Sequence, residues 1–168
     1  MSRGLVIFSH GKESGPWGTK ITALAAVARN QGYCIESIDY TDLPDPDARV
    51  RRLVERCAGE TGPLVLVGSS MGGYVATVAS QTANPAGLFL MAPAVHLPGY
   101  DEPDPVSWSE KTFVVHGWHD EVIPQENVVR FALGNRARLF LVDGDHTLVS
   151  QLPFIEELFG LFLENLES

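Results

Sequence analysis

The stretch 64–74, with the sequence LVLVGSSMGGY, constrains the fold of this chain more than any other. Its first four residues form an unbroken apolar run, which is typical of a strand buried on both faces of a parallel sheet. Gly68, Ser70 and Gly72 follow at alternate positions, and residues 75–79 suit a helix. A strand, a sharp turn and a helix are the context in which Gly-x-Ser-x-Gly holds a nucleophilic serine. The alternative interpretation is a glycine-rich turn that carries serines by accident.

Five further apolar runs predict strands around this one. They cover residues 5–8, 34–39, 87–91, 112–116 and 138–142. Helical spacing of apolar residues predicts helices that start near residues 17–19, 47, 125 and 153, and Gly134 is predicted to end the third of these. The proline-rich residues 92–110 predict an irregular segment. This alternation predicts one α/β domain over residues 1–168, with a doubly wound, mostly parallel six-stranded sheet and helices on both faces.

The composition limits the partners that this chain is expected to have. Its net charge is −9, from 12 basic and 21 acidic residues, and the basic cluster at residues 49–52 is interpreted as a solvated helix face. Nucleic acids and membranes are therefore not expected as partners. Cys34 and Cys57 are too few for a disulfide framework, and the apolar run that ends at Phe8 is too short for a signal peptide. We expect a reduced, cytoplasmic protein.

Polar clusters follow four of the predicted strands, at the point where each strand ends. They are residues 10–12, Ser70, residues 116–120 and residues 143–146. In a doubly wound sheet, ligands bind beyond the carboxyl ends of the strands, near the point where the strand order reverses. The sequence therefore predicts a functional site at this edge of the sheet.

Ser70, Asp120 and His146 are predicted to act together. A serine hydroxyl is a weak nucleophile until a base removes its proton and a third group orients that base. The serine turn is accompanied by an acid and then a histidine later in the chain. Asp143 and Asp145 are the rival candidates for the acid. In the alternative interpretation, Asp120 is only an acid at a helix start, and His146 is an ordinary loop residue.

Three motifs together resemble the α/β-hydrolase superfamily: GSSMGGY after a strand, His-Gly-x-x-Asp-x-x-x-Pro, and Gly-Asp-His. The resemblance spans the chain from His10 to His146 and is closest to the small bacterial serine esterases without a cap. It implies Ser70 as the nucleophile, Asp120 as the orienting acid and His146 as the general base. It also implies that the first two strands of the full eight-stranded sheet are missing and that the strand order is 2-1-3-4-5-6.

The resemblance also assigns an oxyanion hole, the pair of donors that binds the negative oxygen of a reaction intermediate. With the first strand beside the strand of Ser70, the backbone N–H groups of Lys12 and Met71 are expected to form it. His10 is expected to brace this loop through hydrogen bonds. Lys12 departs from the small or apolar residue expected at its position. Its side chain either points to solvent or favours an acidic substrate.

The length of the segment 92–110 indicates how open the site is, because many members of this superfamily insert a helical cap between the same two strands. It is too short for a full lid, so we expect an open site for short carboxylic esters, thioesters or lactones, with carboxylesterase chemistry and no cofactor. The candidate substrate-binding residues are aromatic and histidine side chains near the strand ends, which are alternatively plain packing: Trp17, Tyr74, His96, Trp118 and His119.

Two other functions are compatible with the sequence. His116, His119 and Asp120, with Asp145 and His146, are candidate metal ligands of a hydrolase, but their spacing fits no recognised zinc pattern and leaves the serine turn unexplained. A binding protein on the same fold with vestigial chemistry is the second alternative, since a fold does not fix a function.

Overall fold

A computed structural model describes residues 1–167 and contains six strands in that range, at the predicted positions. They are β1 Leu5–Ser9, β2 Cys34–Ile38, β3 Leu64–Ser69, β4 Gly87–Met91, β5 Lys111–Gly117 and β6 Arg138–Val142. Neighbouring strands all pair in parallel, in the order β2-β1-β3-β4-β5-β6. The predicted sheet and its strand order are therefore confirmed.

Five α-helices lie within the described residues: α1 Thr19–Asn30, α2 Pro46–Cys57, α3 Met71–Ala83, α4 Gln125–Asn135 and α5 Leu152–Glu164. Short 3₁₀ turns at Val149–Gln151 and Asn165–Glu167 flank α5. The start of α2 follows from its sequence. Asp45 accepts a hydrogen bond from the Ala48 N–H at 2.9 Å, and Pro46 occupies the first helical position.

The prediction that Gly134 ends α4 is wrong. The helix continues through Gly134 to Asn135, and Arg136 takes the left-handed conformation (φ 53°) that ends it. The Ala137 N–H then donates to the Ala132 carbonyl at 3.0 Å, which satisfies a carbonyl of the last turn. Glycine favours this conformation, but here the closing hydrogen bond stabilises it on an arginine.

Helices cover both faces of the sheet, and the side chains of each strand alternate between two cores. On β1, Ile7 belongs to the core that α2, α3 and α4 complete, while Phe8 belongs to the core that α1 and α5 complete. β3 is buried along its whole length. Burial on both faces explains why its sequence is an unbroken apolar run.

β1 is the strand at which the chain changes direction across the sheet. β2 lies on one side of it and β3 on the other, with Ser9 of β1 opposite Gly68 of β3. The loop after β1 therefore lies beside the turn after β3, which is where ligands bind in doubly wound sheets. Residues 92–110, between β4 and β5, contain no helix or strand, as predicted. No helix in the described part of the chain is long and apolar enough to cross a membrane.

Candidate active site

The turn after β3 holds Ser70 in a strained backbone conformation, with φ 54° and ψ −118°. Such a conformation persists only where the surrounding packing holds it. A Cβ atom on Gly68 would lie 2.2 Å from the carbonyl oxygen of Gly72, and a Cβ atom on Gly72 would lie 1.9 Å from that of Ser9. The two glycines are therefore required by the close passage of strand and helix beneath the serine.

The Ser70 hydroxyl lies within hydrogen-bonding distance of the His146 ring. Ser70 Oγ is 3.1 Å from His146 Nε2, and His146 Nδ1 is 2.8 Å from Asp120 Oδ2. An ionised carboxylate only accepts hydrogen bonds, so Nδ1 is the nitrogen that donates and Nε2 is left to accept the serine proton. The loops after β3, β5 and β6 thus bring the three predicted residues into one hydrogen-bonded chain.

Backbone donors orient the carboxylate of Asp120, whose side chain is fully buried. Its second oxygen, Oδ1, accepts hydrogen bonds from the N–H groups of Val122 and Ile123, each at 2.8 Å. A buried carboxylate needs such donors, because otherwise its desolvation is unfavourable. These bonds leave Oδ2 directed at His146.

Asp143 and Asp145, the rival acids, form hydrogen bonds elsewhere. Asp143 pairs at the surface with His119, at 2.7 Å. Asp145 Oδ1 accepts from the Thr147 hydroxyl at 2.6 Å and from the Thr147 N–H at 2.9 Å, which lowers the pKa of Asp145. Of the three acids, Asp120 alone hydrogen-bonds His146 in the part of the chain described.

A close approach between the loops after β5 and β6 places Asp120 against His146. A Cβ atom on Gly117 would lie 2.2 Å from the carbonyl oxygen of Gly144, and the His119 N–H donates to the same oxygen at 3.0 Å. The glycine of the His-Gly pair after β5 is therefore a packing requirement of the site.

His116, the other member of that pair, is completely buried next to the acid. Its Nε2 lies 3.1 Å from the Ile123 carbonyl and so donates to it, while Nε2 is 3.7 Å from Asp120 Oδ2. Nδ1 has no hydrogen-bond partner among the described residues. Burial lowers the pKa of His116, so the ring is neutral and braces the loop.

His10 fixes the loop after β1. Its Nδ1 lies 2.7 Å from the Gly11 carbonyl, and its Nε2 accepts a hydrogen bond from the Tyr40 N–H at 2.9 Å. The Tyr40 bond requires an unprotonated Nε2, so Nδ1 carries the proton and donates. Burial lowers the pKa of His10, which keeps the ring neutral. These contacts are the bracing expected of this histidine.

Arg49 adds a second set of donors to the same loop, although its basic cluster predicts a solvated helix face. That expectation is wrong, because the side chain is only 2% exposed. One terminal nitrogen lies 3.3 Å from each of the carbonyl oxygens of His10 and Gly11, and Nε donates to the Leu43 carbonyl at 2.6 Å. Burial lowers the pKa of Arg49. Its hydrogen-bond acceptors are thus backbone carbonyls.

The Gly11 carbonyl and the Lys12 N–H belong to one peptide group, and a trans peptide points them in opposite directions. The donors on the Gly11 carbonyl therefore set the direction of the Lys12 N–H. Within residues 1–167, neither the Lys12 N–H nor the Met71 N–H has a hydrogen-bond acceptor. Both residues line the cavity that contains Ser70, so both donors are available to a ligand there.

A cavity of about 550 Å³ opens onto Ser70 and His146. Four segments form its wall: the loop after β1 with the start of α1, the serine turn, the irregular segment 92–110, and the loops that carry the acid and the histidine. The lining residues are His10, Gly11, Lys12, Glu13, Ser14, Gly15, Gly18, Thr19, Lys20, Ile21, Ser69, Ser70, Met71, Ala94, Leu97, Tyr100, Val122, Ile123, His146, Thr147 and Val149.

None of the five predicted substrate-binding residues lines this cavity. Trp17 and Trp118 are half-exposed elsewhere, and His119 is paired with Asp143 at the surface. Tyr74 is fully buried, and its hydroxyl donates to Asp47 at 2.6 Å.

His96, the fifth, lies 3.1 Å from the Pro103 carbonyl through Nδ1 and 3.2 Å from Asp104. The apolar wall comes instead from Leu97, Tyr100, Val122 and Ile123. Sequence reasoning missed these residues because they lie in irregular loops, where no periodicity shows which way a side chain points.

The candidate metal ligands named from the sequence do not come together around one point. No three histidine, cysteine, aspartate or glutamate side chains within residues 1–167 are arranged to hold a metal ion. His116 is buried and donates to a carbonyl, while the His119 side chain is exposed and paired with Asp143. Asp120 is directed at His146.

The fold and the site define an α/β hydrolase, and comparison with known proteins agrees. Residues 6–162 match the alpha/beta hydrolase family. The chain belongs to this family, and hydrolase is the class of enzyme to which it is assigned.

Among solved structures, a candidate hydrolase of the alpha/beta superfamily from Xanthomonas campestris is 36% identical, with a TM-score of 0.89 over 97% of this chain and 99% of that one. A serine hydrolase without a lid from the same species is 21% identical, with a TM-score of 0.74 over 98% and 82% of the two chains. Est1E from Butyrivibrio proteoclasticus is 16% identical, with a TM-score of 0.84 over 98% and 88%. The last two show a shared fold. No protein with a curated description matches the chain.

Proposed function

We propose that this protein is a serine hydrolase that cleaves short-chain carboxylic esters, including thioesters or lactones, through an acyl-enzyme on Ser70. The observation that carries the proposal is the hydrogen-bonded chain from Ser70 Oγ to His146 Nε2 (3.1 Å) and from His146 Nδ1 to Asp120 Oδ2 (2.8 Å). A nucleophile, a base and an orienting acid in this arrangement activate a serine hydroxyl on several unrelated folds.

In the first half of the reaction, Ser70 Oγ attacks the carbonyl carbon of the ester while His146 Nε2 takes the hydroxyl proton. The negative oxygen of the intermediate accepts hydrogen bonds from the N–H groups of Lys12 and Met71. His146 then gives its proton to the oxygen or sulfur of the leaving group as that bond breaks. Asp120 stabilises the imidazolium that forms between these two steps.

In the second half, water attacks the acyl-enzyme and His146 takes a proton from it. The intermediate breaks down as His146 returns that proton to Ser70 Oγ, which releases the carboxylic acid. No redox change occurs, and the side chains named return to their starting protonation states. The reaction needs no cofactor.

The proposed preference for short substrates rests on the cavity. Residues 92–110 are too few for a cap and contribute three wall residues, Ala94, Leu97 and Tyr100, to a space of about 550 Å³. A pocket of this size accommodates a small ligand. The partner is therefore a small molecule, and the two free thiols, Cys34 and Cys57, suit a reducing compartment such as the cytoplasm.

A fluorophosphonate probe tests for an activated serine directly. We expect intact-mass analysis to show one added probe on the wild type and none on Ser70→Ala. With 4-nitrophenyl esters of increasing acyl length, Ser70→Ala is expected to lower kcat on the order of 10⁴-fold or more, whereas Ser109→Ala, a remote serine, leaves it unchanged. If Ser70→Ala keeps most of the rate, the acyl-enzyme is ruled out. If the wild type neither reacts with the probe nor cleaves any ester, the alternative of a binding protein is favoured.

A further inference from the structure

Lys20 places an amine in the wall of the cavity that contains Ser70 and His146. The residue is half-buried in the first turn of α1. Its amine forms no hydrogen bond or ion pair with the described residues 1–167. Burial lowers the pKa of Lys20, because the charged form loses hydration. An ammonium group that is partly withdrawn from water and has no hydrogen-bond acceptor is unfavourable, so a ligand that supplies an acceptor is favoured at this place.

Two carboxylates attract Lys20 electrostatically, Asp120 and Asp145, and both raise its pKa. Their oxygens are already hydrogen-bonded. Asp120 is bound by His146 and by two backbone N–H groups, and Asp145 is bound by Thr147. Neither carboxylate lies within ion-pair distance of the amine. The three N–H donors of Lys20 therefore remain available to a ligand in the cavity.

The start of α1 adds to the positive charge of Lys20. The first turn of α1 contains no acidic residue and Gly18 provides no side-chain cap, although acids are favoured at this end of a helix and amines are not. Lys12 is a second basic residue in the cavity wall, and the exposed Glu13 is its acidic residue. The helix start by itself does not make a site, but it reinforces the charge of the amine.

We propose that Lys20 binds a carboxylate of the substrate, so that the preferred ester carries a carboxylate group close to the bond that Ser70 attacks. This proposal rests on the proposed function and adds the class of substrate to it. The chain carries a net charge of −9, which repels anions in general. A lysine in the cavity wall reverses that repulsion locally, and it selects for an anion at the one place where the ester bond is cleaved.

The carboxylate can belong to the acyl side or to the alcohol side of the ester, and two matched pairs of substrates distinguish these sources. The alcohol-side pair is 4-acetoxybenzoate and 4-acetoxybenzamide. The acyl-side pair is 4-nitrophenyl 4-carboxybenzoate and 4-nitrophenyl 4-carbamoylbenzoate. In each pair the two esters differ only in a carboxylate against an amide of similar size. The measured quantity is the ratio of kcat/KM for the carboxylate to that for the amide.

For the wild type we expect a ratio of about 10 or more in one pair, since a hydrogen bond to a charged group contributes roughly this factor. Lys20→Met is expected to lower that ratio to about 1 or below, mainly through KM, and Lys20→Arg to retain part of it. Arg29→Met is the matched control, because it removes one positive charge from the far end of α1 and should keep the wild-type ratio. Taking the ratio within each variant cancels any loss of activity that is common to both esters.

The proposal is overturned if the wild type prefers the carboxylate in neither pair, or if Lys20→Met keeps the preference. Failure of the proposed function gives a different result. In that case the fluorophosphonate probe does not label the wild type and neither amide ester is cleaved. A labelled enzyme that cleaves the amide esters without a preference for the carboxylates retains the serine mechanism and rejects the role of Lys20.

Discussion

Arg49→Met is the substitution that most directly tests how the proposed oxyanion hole is built. Methionine has a similar length and no donors, so it removes the hydrogen bonds to the carbonyls of His10, Gly11 and Leu43. The Gly11 carbonyl keeps its bonds from His10 at 2.7 Å and from the Ser14 hydroxyl at 3.4 Å, and it loses the bond from Arg49 at 3.3 Å. The peptide group that carries the Lys12 N–H is then held by two donors instead of three.

The structure indicates the size of the effect on catalysis. Complete removal of one oxyanion donor lowers kcat by about 10²–10³-fold in enzymes of this kind. The Lys12 N–H stays in place here but loses part of its orientation, so we expect kcat to fall by about 10- to 100-fold, which is less than complete removal of the donor causes. KM is expected to change little, because the donor acts on the intermediate and not on the bound ester.

The expected effect on stability is smaller than the number of lost bonds suggests. Each carbonyl left without a donor costs about 1–3 kcal/mol when it is buried. Against this, the variant no longer buries a guanidinium group whose acceptors are neutral carbonyls, and relief of that desolvation offsets part of the loss. We expect the free energy of unfolding to fall by about 1–3 kcal/mol, which leaves a folded protein to assay.

A trifluoromethyl ketone distinguishes loss of orientation from general damage. Its adduct with Ser70 places a negative oxygen in the oxyanion hole, so its affinity should fall by the same factor as kcat in Arg49→Met, while inhibition by the product carboxylic acid stays unchanged. Arg51→Met, an exposed arginine on the same helix, is the matched control. An Arg49→Met variant with kcat within about twofold of the wild type and an unchanged affinity for the ketone would refute the reasoning.

Two further predictions concern the acid and the buried histidines. Asp120→Asn is expected to lower kcat on the order of 10³–10⁴-fold at neutral pH, because an amide facing Nδ1 favours the wrong tautomer of His146. Stopped-flow or steady-state ester hydrolysis measures kcat. A kcat close to that of the wild type would mean that another residue is the acid. Burial lowers the pKa of His10 and of His116 from 6.5, so below about that pH the unfolded chain binds more protons than the folded one, and stability falls as the pH falls. Urea unfolding between pH 7 and 5.5 should show that the free energy of unfolding falls by up to about 1.4 kcal/mol per pH unit for each ring, and His116→Gln should reduce this slope. A free energy of unfolding that stays level or rises on acidification contradicts the assignment of both rings as neutral.

The parts of the fold that the sequence predicts best are those in which local sequence and tertiary burial agree. The run 64–67 is apolar without alternation because both faces of β3 are covered, and Gly68 and Gly72 lie where a Cβ atom cannot fit. The predicted order of the strands depends on the resemblance to a family, since apolar runs alone do not specify which strands are neighbours.

Arg49 shows where residue type misleads. Three of four consecutive residues in 49–52 are arginines, and a basic cluster is usually solvated. On α2, however, Arg49 shares its face with Pro46, Leu53 and Cys57, which are all buried. Helical spacing was therefore the signal that could have found it. The burial of this guanidinium depends on the backbone carbonyls that accept its hydrogen bonds. Two of them belong to a loop about forty residues earlier in the chain, so local sequence does not reveal them.

Tyr74 shows how a residue can shape a cavity without lining it. Its ring packs on Tyr100 with centroids 4.6 Å apart, and its hydroxyl accepts a hydrogen bond from the Glu102 N–H at 3.1 Å while donating to Asp47. The other oxygen of Asp47 accepts from the Asp101 N–H at 3.1 Å. The irregular segment is thus tied to α2 and α3 next to Tyr100, which lines the cavity. Because Asp47 and Tyr74, the acceptors of these bonds, belong to helices packed on the sheet, the wall is preformed, and the short segment serves as a fixed side of the pocket instead of a lid that closes over it.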